Sequence, residues 1–160
     1  MDIARVQAFF FKAMVEGYAA QGSKKTKVAD MPGYKEIRFQ DGDFLLVDRW
    51  CVNRLTEKSV GTTTIWFENE PVWVMHYGGV YAESAVAMLK RALAKSYGSY
   101  SFVGGRGPRV YVEGTEKMFA YVNHPRLNDF SKFEGREEIR AVENDGEQFG
   151  FHEYWGMSLL

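Results

Sequence analysis

The sequence predicts an α+β protein built from two halves, each with one helix followed by four strands. Three observations predict it: two segments with a helical hydrophobic period, eight strand-like segments joined in pairs by turn residues, and a nearly constant spacing between matching residues. The length of 160 residues is that of one domain. We therefore expect a single domain over residues 1–160, with pseudo-repeat halves 1–80 and 81–160, a mostly antiparallel sheet, and helices on one face.

The first helix is predicted over residues 3–20. Apolar residues recur there at three- and four-residue steps, which gathers them on one face. Asp2 is placed to cap the N-terminus, and Gly22 follows where a helix C-terminus is expected. A polar, basic stretch then runs to Pro32-Gly33 and is typical of a loop.

Four strands are predicted in the first half, over residues 34–39, 44–52, 62–67 and 72–77. The first two flank Asp41-Gly42, a dipeptide favoured in hairpin turns, and the other two flank residues 68–71. Their β-branched and aromatic content suits a pleated, half-buried surface. We expect two antiparallel hairpins.

The second half is predicted to repeat this order. A helix over residues 83–97 has Ser84 as a candidate N-cap and Gly98 at its end. A glycine-rich loop at residues 104–107 follows, and then strands over residues 110–112, 118–122, 138–142 and 148–154. The turns are expected at Glu113-Gly114 and at residues 144–146.

Matching residues of the two halves lie 73 to 79 positions apart; they are Tyr18 and Tyr97, Ile37 and Val110, Gly61 and Gly135, and His76 and His152. A drifting offset is expected when the loops of a duplicated sequence gain and lose residues. We therefore interpret the halves as two copies of one unit. The alternative is coincidence, because hydrophobic and glycine matches are common.

The charge balance limits the classes of partner. Lys and Arg total 20 against 21 Asp and Glu, which argues against nucleic acid or an anionic membrane. No apolar run reaches the roughly 20 residues of a membrane span, and the N-terminus lacks a secretory signal. Cys51 is the single cysteine, so no intrachain disulfide can form, and we expect a cytoplasmic protein.

A family resemblance lies in the segments at residues 61–78 and 133–139, together with Gly42-Asp43-Phe44 and Tyr154-Trp155-Gly156. They are similar to a prokaryotic family known only as a domain of unknown function, number 5680, and the similarity covers residues 34–156. The resemblance implies no activity or cofactor. Residues 62–64 are threonines where that family usually has acidic residues, which weakens the case for a catalytic carboxylate there.

His76 and His152 are the candidate catalytic residues. Under the duplication they occupy equivalent strand positions, and histidine serves as acid, base or metal ligand near neutral pH. A hydrolase would use either one as general base, with Glu153 or Tyr154 assisting. The alternative is two structural histidines bonded to their neighbours. No metal site is predicted, because close Cys/His pairs and an H-E-x-x-H spacing are absent.

Two other features carry weaker hypotheses. Cys51 as a nucleophile would need a nearby histidine, and a buried, inert thiol is the simpler interpretation. The glycine-rich loop leaves a helix C-terminus and enters a strand, which reverses the polarity of a phosphate-binding loop.

The aromatic residues suggest a binding function. Five of them concentrate in the second hairpin of each half and are the predicted ligand-binding residues: Trp66, Trp73, Tyr77, Tyr154 and Trp155. We expect a module without a cofactor that holds a small molecule or a partner segment in a groove between the halves. The alternatives are core packing of these rings, the hydrolase described above, and a homo-oligomer that pairs through an exposed sheet face or edge.

Overall fold

The computed structural model describes residues 1–19, 25–115, 118–143 and 146–160. These ranges contain two α-helices, α1 (Ile3–Ala13), which continues as a π-helix (Met14–Ala19), and α2 (Glu83–Gly98). They also contain nine strands: β1 (Thr26–Lys27), β2 (Tyr34–Asp41), β3 (Phe44–Val52), β4 (Lys58–Phe67), β5 (Glu70–Tyr81), β6 (Val110–Glu113), β7 (Phe119–Asp129), β8 (Lys132–Ala141) and β9 (Gln148–Ser158). The α+β class with an antiparallel sheet is confirmed.

One sheet holds these nine strands in the order β1-β2-β3-β4-β5-β9-β8-β7-β6, and every neighbouring pair is antiparallel. Each half of the sequence forms a meander in which consecutive strands pair. The two meanders meet where β5 lies beside β9, with Tyr77 opposite Tyr154. The centre of the sheet therefore joins the last strand of each predicted half.

Both helices cover the same face of the sheet, which we call the inner face. The ring of Phe10 on α1 lies 5.2 Å from Trp73 on β5 and 6.1 Å from Tyr97 on α2. Trp73 is completely buried and stacks on Phe130 and Phe133, and its Nε1–H donates to the Phe130 carbonyl. Such aromatic packing forms a large part of the core, in which ten of the 23 buried residues of the described ranges are aromatic. No helix of the described ranges is long and apolar enough to cross a membrane.

The helix starts test the predicted caps. Asp2 caps α1 as expected, and its Oδ1 accepts from the Ala4 N–H at 3.0 Å. Ser84 does not cap α2, so that prediction is wrong: the helix begins at Glu83, whose N–H donates to Glu57 Oε1. A carboxylate from the β3–β4 connection thus satisfies an N-terminal donor of α2. Gly22, and residues 144 and 145 of a predicted turn, lie outside the described residues.

The strands run further than the sequence indicated. β5 was expected to end at Tyr77 but continues through Gly78 and Gly79 to Tyr81. β7 reaches Asp129 and pairs with β8 in a hairpin that turn residues did not reveal. Glycines weaken a strand on intrinsic grounds, but pairing on both sides holds this part of β5 extended.

Candidate functional site

A cavity of about 430 Å³ lies between the inner face of the first meander, α2 and the π-helix; we call it the inner cavity. Its walls are largely apolar, with Met14, Ile37, Met75, Val86 and Leu89 among the residues that face it. The π-helical turn presents both Met14 and Tyr18 to this space, and π-helical segments often occur at functional sites. Asp48, Ser59, Tyr81, Arg106 and His152 give one part of the wall a polar character.

A row of inward-facing positions crosses four neighbouring strands beside this cavity. Ser59 on β4 is opposite Gly79, Gly79 is opposite His152 on β9, and His152 is opposite Glu137 on β8. Gly79 has φ +156°, and a Cβ there would lie 2.2 Å from the Phe151 carbonyl oxygen. Because Gly79 adds no side chain, Ser59 Oγ reaches His152 Nε2 across it at 2.9 Å.

Arg106, on the glycine-rich loop, lies beside Glu137 at the end of this row. Arg106 is buried, and its Nε donates to Glu137 Oε1 at 3.1 Å, while Tyr121 donates to the other carboxylate oxygen. The Gly107 N–H donates to the Tyr121 hydroxyl at 2.9 Å, and a Cβ on Gly107 would lie 2.7 Å from that side chain. The glycine therefore lets the backbone approach the ring closely, which a bulkier residue would prevent.

Burial and charge together set the ionisation of this cluster. Burial alone would raise the pKa of Glu137, but Arg106 and His152 outweigh it and hold the pKa at about 2. Burial lowers the pKa of His152, and the Arg106 charge lowers it further against the opposing effect of Glu137. At neutral pH the Glu137 carboxylate is therefore ionised, the Arg106 guanidinium is charged and the His152 imidazole is neutral.

Asp48 is a second buried carboxyl and, unlike Glu137, lies in the wall of the inner cavity. Its Oδ1 accepts from the Thr63 hydroxyl at 2.8 Å and from the Tyr77 hydroxyl at 3.0 Å. Burial raises the pKa of Asp48, and these two hydrogen bonds oppose the rise. The Tyr81 hydroxyl is also buried in this wall and has no hydrogen-bond partner within the described residues.

Two basic residues also line the inner cavity. Lys25 and Lys90 both line it, and the Lys25 ammonium lies 5.7 Å from the centre of the Trp50 ring. The pKa of Lys25 is lowered, first by partial burial and then by the charges of Lys90 and Lys35. Two neighbouring ammonium groups favour an anion at this position.

The two candidate histidines lie on opposite faces of the sheet. His152 faces the inner cavity, whereas His76 lies on the outer face, where its ring stacks on Trp155 at 4.6 Å and its Nδ1 is 3.0 Å from Thr62 Oγ1. Glu153 alternates with His152 along β9, is exposed, and lies near Arg136. The expectation of equivalent positions for the two imidazoles is therefore not met.

Three of the five predicted ligand-binding aromatics, Tyr77, Tyr154 and Trp155, border one cavity on the outer face together with His76 and Glu153. Tyr77 also lines the inner cavity. Trp73 and Tyr154 are buried in the core, and the Tyr154 hydroxyl donates to Asn123 Oδ1. Trp155 is half exposed at the outer-face cavity, whose volume is about 340 Å³. Trp66 alternates with buried Ile65 on β4.

Three residues of the site have no counterpart among the residues that the sequence singled out: Asp48, Ser59 and Glu137. A usable signal was present for the two acids, since each alternates with apolar or glycine residues on the inward side of its strand: Asp48 lies between Leu46 and Trp50, and Glu137 between Gly135 and Ile139. A charged residue in such a position needs a partner, and therefore marks a site. No group of three or more His, Cys, Asp or Glu residues suited to a metal occurs in the part of the chain that the structure describes. Cys51 is half-buried on β3.

Fold and site together define an α+β protein with a nine-stranded antiparallel sheet, a cavity on its covered face and a buried ionic cluster beside that cavity. The family model of DUF5680, a domain of unknown function, matches residues 55–157. The match covers more than half of the chain, and the chain belongs to this family. It includes Ser59, Arg106, Glu137 and His152 but begins after Asp48. No curated protein and no solved structure matches the chain.

Proposed function

We propose that the protein binds a small molecule in the inner cavity. The observation that carries the proposal is a largely apolar cavity of about 430 Å³ with a buried carboxyl, Asp48, and the buried Tyr81 hydroxyl in its wall. Small-molecule sites typically have roughly this volume, mostly apolar walls and a few polar groups that orient the ligand. The Tyr81 hydroxyl has no hydrogen-bond partner among the described residues, and an unpaired buried hydroxyl costs folding free energy unless a ligand bonds to it.

Matching contacts of Tyr77 and Tyr154 support the predicted duplication, which we include in the proposal. Tyr77 and Tyr154 face each other across the β5–β9 join, and each ring lies over a glycine of the next strand, Gly61 or Gly135. Each hydroxyl donates to a buried side chain one strand further out, and the acceptors are Asp48 and Asn123. The two arrangements are those expected of two copies of one unit within one domain.

Under this duplication the two copies differ in what occupies the inner face. In the second copy the loop after α2 fills that space, with Gly104 against Tyr154 and Gly107 against Tyr121. In the first copy the described residues border the inner cavity at the corresponding place. Arg106 and His152 of the second copy border it, so the proposed site lies between the halves.

The walls indicate an amphipathic ligand. Apolar and aromatic surface favours a ring or a short hydrocarbon body. Asp48 and Tyr81 favour a hydrogen-bond donor at one end, and Lys25 and Lys90 favour an anionic group. The proposal requires no cofactor, metal, nucleic acid or second copy of the chain.

The experiment measures binding of 1-anilinonaphthalene-8-sulfonate, an anionic aromatic probe, by fluorescence and calorimetry. Ala94 lines the cavity from α2, and Ala94→Phe would place a ring inside it. Ala87 is exposed on the same helix, so Ala87→Phe is a matched control. We expect saturable 1:1 binding by the wild type and by Ala87→Phe, and at least a tenfold weaker affinity for Ala94→Phe.

Cooperative thermal unfolding of all three proteins establishes that the probe meets a folded chain, because this dye also binds partly folded states. Equal affinity for the two variants would refute the cavity as the binding site. Absence of any saturable binding to the wild type would refute an anionic aromatic ligand there.

A further inference from the structure

We propose that Ser59 is the nucleophile of an ester-hydrolysing site in the inner cavity, with His152 as its general base and Glu137 as the residue that positions His152. The inference goes beyond binding but rests on the proposed function, because the ester has to enter the same cavity. It assigns a catalytic role to Ser59, which no pattern in the sequence singled out.

The geometry has the order that an activated serine requires. Ser59 Oγ lies 2.9 Å from His152 Nε2, and His152 Nδ1 lies 3.5 Å from Glu137 Oε1. The first distance is within hydrogen-bond reach, and the second is of the loose kind that catalytic contacts often show before substrate binds. The three residues sit on paired strands of the sheet, which hold them more rigidly than loops would.

In the proposed mechanism His152 carries its proton on Nδ1, which leaves Nε2 free to accept the serine proton. Glu137 is completely buried and held ionised by Arg106, so its carboxylate attracts the Nδ1–H of His152. Nε2 then carries the lone pair that faces Ser59. Arg106 Nη2, which can only donate, lies within hydrogen-bond distance of Nδ1 at 3.3 Å and would bond to the other tautomer. In the proposed catalytic tautomer Nδ1–H faces the carboxylate instead, and Arg106 keeps the bonds that it makes to Glu137 through Nε and Nη2.

The Tyr81 hydroxyl and the Arg106 guanidinium are the donors that would stabilise the oxyanion formed when serine attacks a carbonyl. The Tyr81 ring meets the His152 ring edge-on at 4.8 Å, and its buried hydroxyl has no partner in the described ranges. The Arg106 guanidinium lies over the Tyr77 ring at 4.9 Å on the same cavity. Donors aimed at developing negative charge in a dry site supply much of the rate of acyl transfer.

The reaction proceeds in two balanced steps. Ser59 Oγ forms a bond to the ester carbonyl carbon while His152 Nε2 takes the serine proton. The ester C–O bond then breaks, and the leaving alcohol oxygen takes that proton from His152. Water then attacks the acyl-serine, giving its proton to His152, and the carboxylic acid is released as Ser59 regains its proton. The apolar walls favour esters that carry an aromatic or short hydrocarbon group.

The test is covalent labelling of the full chain with an alkyl fluorophosphonate, read by intact-mass and peptide mass spectrometry. Serine attack forms one O–P bond and releases fluoride, so a reactive Ser59 gains a single phosphonyl group. Ser59→Ala should abolish the adduct. Ser84→Ala, which changes an exposed serine on α2, should label like the wild type. Hydrolysis of p-nitrophenyl acetate by His152→Gln should fall by about 10²- to 10⁴-fold.

Glu137→Gln supplies the readout of positioning. Its labelling rate should fall with a changed pH profile, because the carboxylate that fixes the imidazole tautomer is gone. No adduct on the wild type, or an adduct that persists in Ser59→Ala, overturns the catalytic proposal. If the naphthalene probe still binds in that case, catalysis alone is refuted. If the probe also fails to bind, the cavity itself fails as a site.

Discussion

Replacement of Arg106 by Met tests the buried ionic cluster most sharply. The side chains of Arg106 and Glu137 are 5% and 0% exposed, and the guanidinium holds the Glu137 carboxylate with two donors. Removal of the cation leaves a carboxylate without its counter-ion in the core; of the residues that the structure describes, Tyr121 and His152 remain beside it. Such a loss typically costs about 3–5 kcal/mol of the free energy of unfolding.

Urea unfolding followed by tryptophan fluorescence measures this cost. With a urea dependence of roughly 1–3 kcal/mol per molar, Arg106→Met should lower the unfolding midpoint by about 1 M or more. Arg126→Met is the matched control, because the Arg126–Glu134 pair is 62% and 41% exposed and such pairs contribute at most about 1 kcal/mol. The double variant Arg106→Met/Glu137→Leu should recover part of the loss, since neither charge remains. Equal midpoints for Arg106→Met and Arg126→Met would refute the buried pair.

Three further predictions follow from the same contacts. The pKa of Glu137 is depressed in the folded state, so its contribution to stability is present above about pH 4.5 and is lost as the pH falls toward 2; Glu137→Gln should flatten the urea midpoint between pH 5 and pH 3 by comparison with the wild type. Gly79→Ala should lose more than about 1 kcal/mol in urea unfolding, because of its positive φ and the carbonyl in the path of the Cβ, whereas Gly98→Ala has no atom within 4 Å and should not; equal losses would contradict this. Burial raises the pKa of Asp48, so ionised Asp48 destabilises the fold increasingly as the pH rises through that pKa; Asp48→Asn should raise the melting temperature at pH 7, and a lowered one would show that the carboxylate is better solvated than the structure indicates.

Local patterns predicted the elements well where intrinsic preference and tertiary pairing agree. The helical period of α2 and the turn residues between β2 and β3 fixed both features within about a residue. They failed where pairing overrides preference: the sequence indicated the end of a strand before Gly78-Gly79, but β4 and β9 hold those residues extended from both sides. The π-helix after α1 likewise lacks a local signal, since its turn differs from an α-helix only in its hydrogen bonding.

The site was less accessible to sequence analysis, because it is assembled from segments far apart in the chain. Alternation along each strand puts His76 and Trp73, and likewise His152 and Glu153, on opposite faces, but the faces of β5 and β9 are related only by their register. That register brings His152 to Ser59, 93 residues away, rather than to His76. Clustering of aromatic residues in the sequence did not distinguish Trp73, which is completely buried in the core, from Tyr77, Tyr154 and Trp155, which border a cavity on the outer face.

Methyl NMR on the folded chain tests the central claim that the inner cavity is the binding site. The methyl groups of Met14, Ile37 and Met75 line that cavity, whereas Met157 is 42% exposed and alternates with the inward residues of β9. On titration with 1-anilinonaphthalene-8-sulfonate, the first three signals should shift together along one saturation curve while Met157 stays unchanged. A shift confined to Met157, with the three cavity signals unmoved, would contradict binding in the inner cavity.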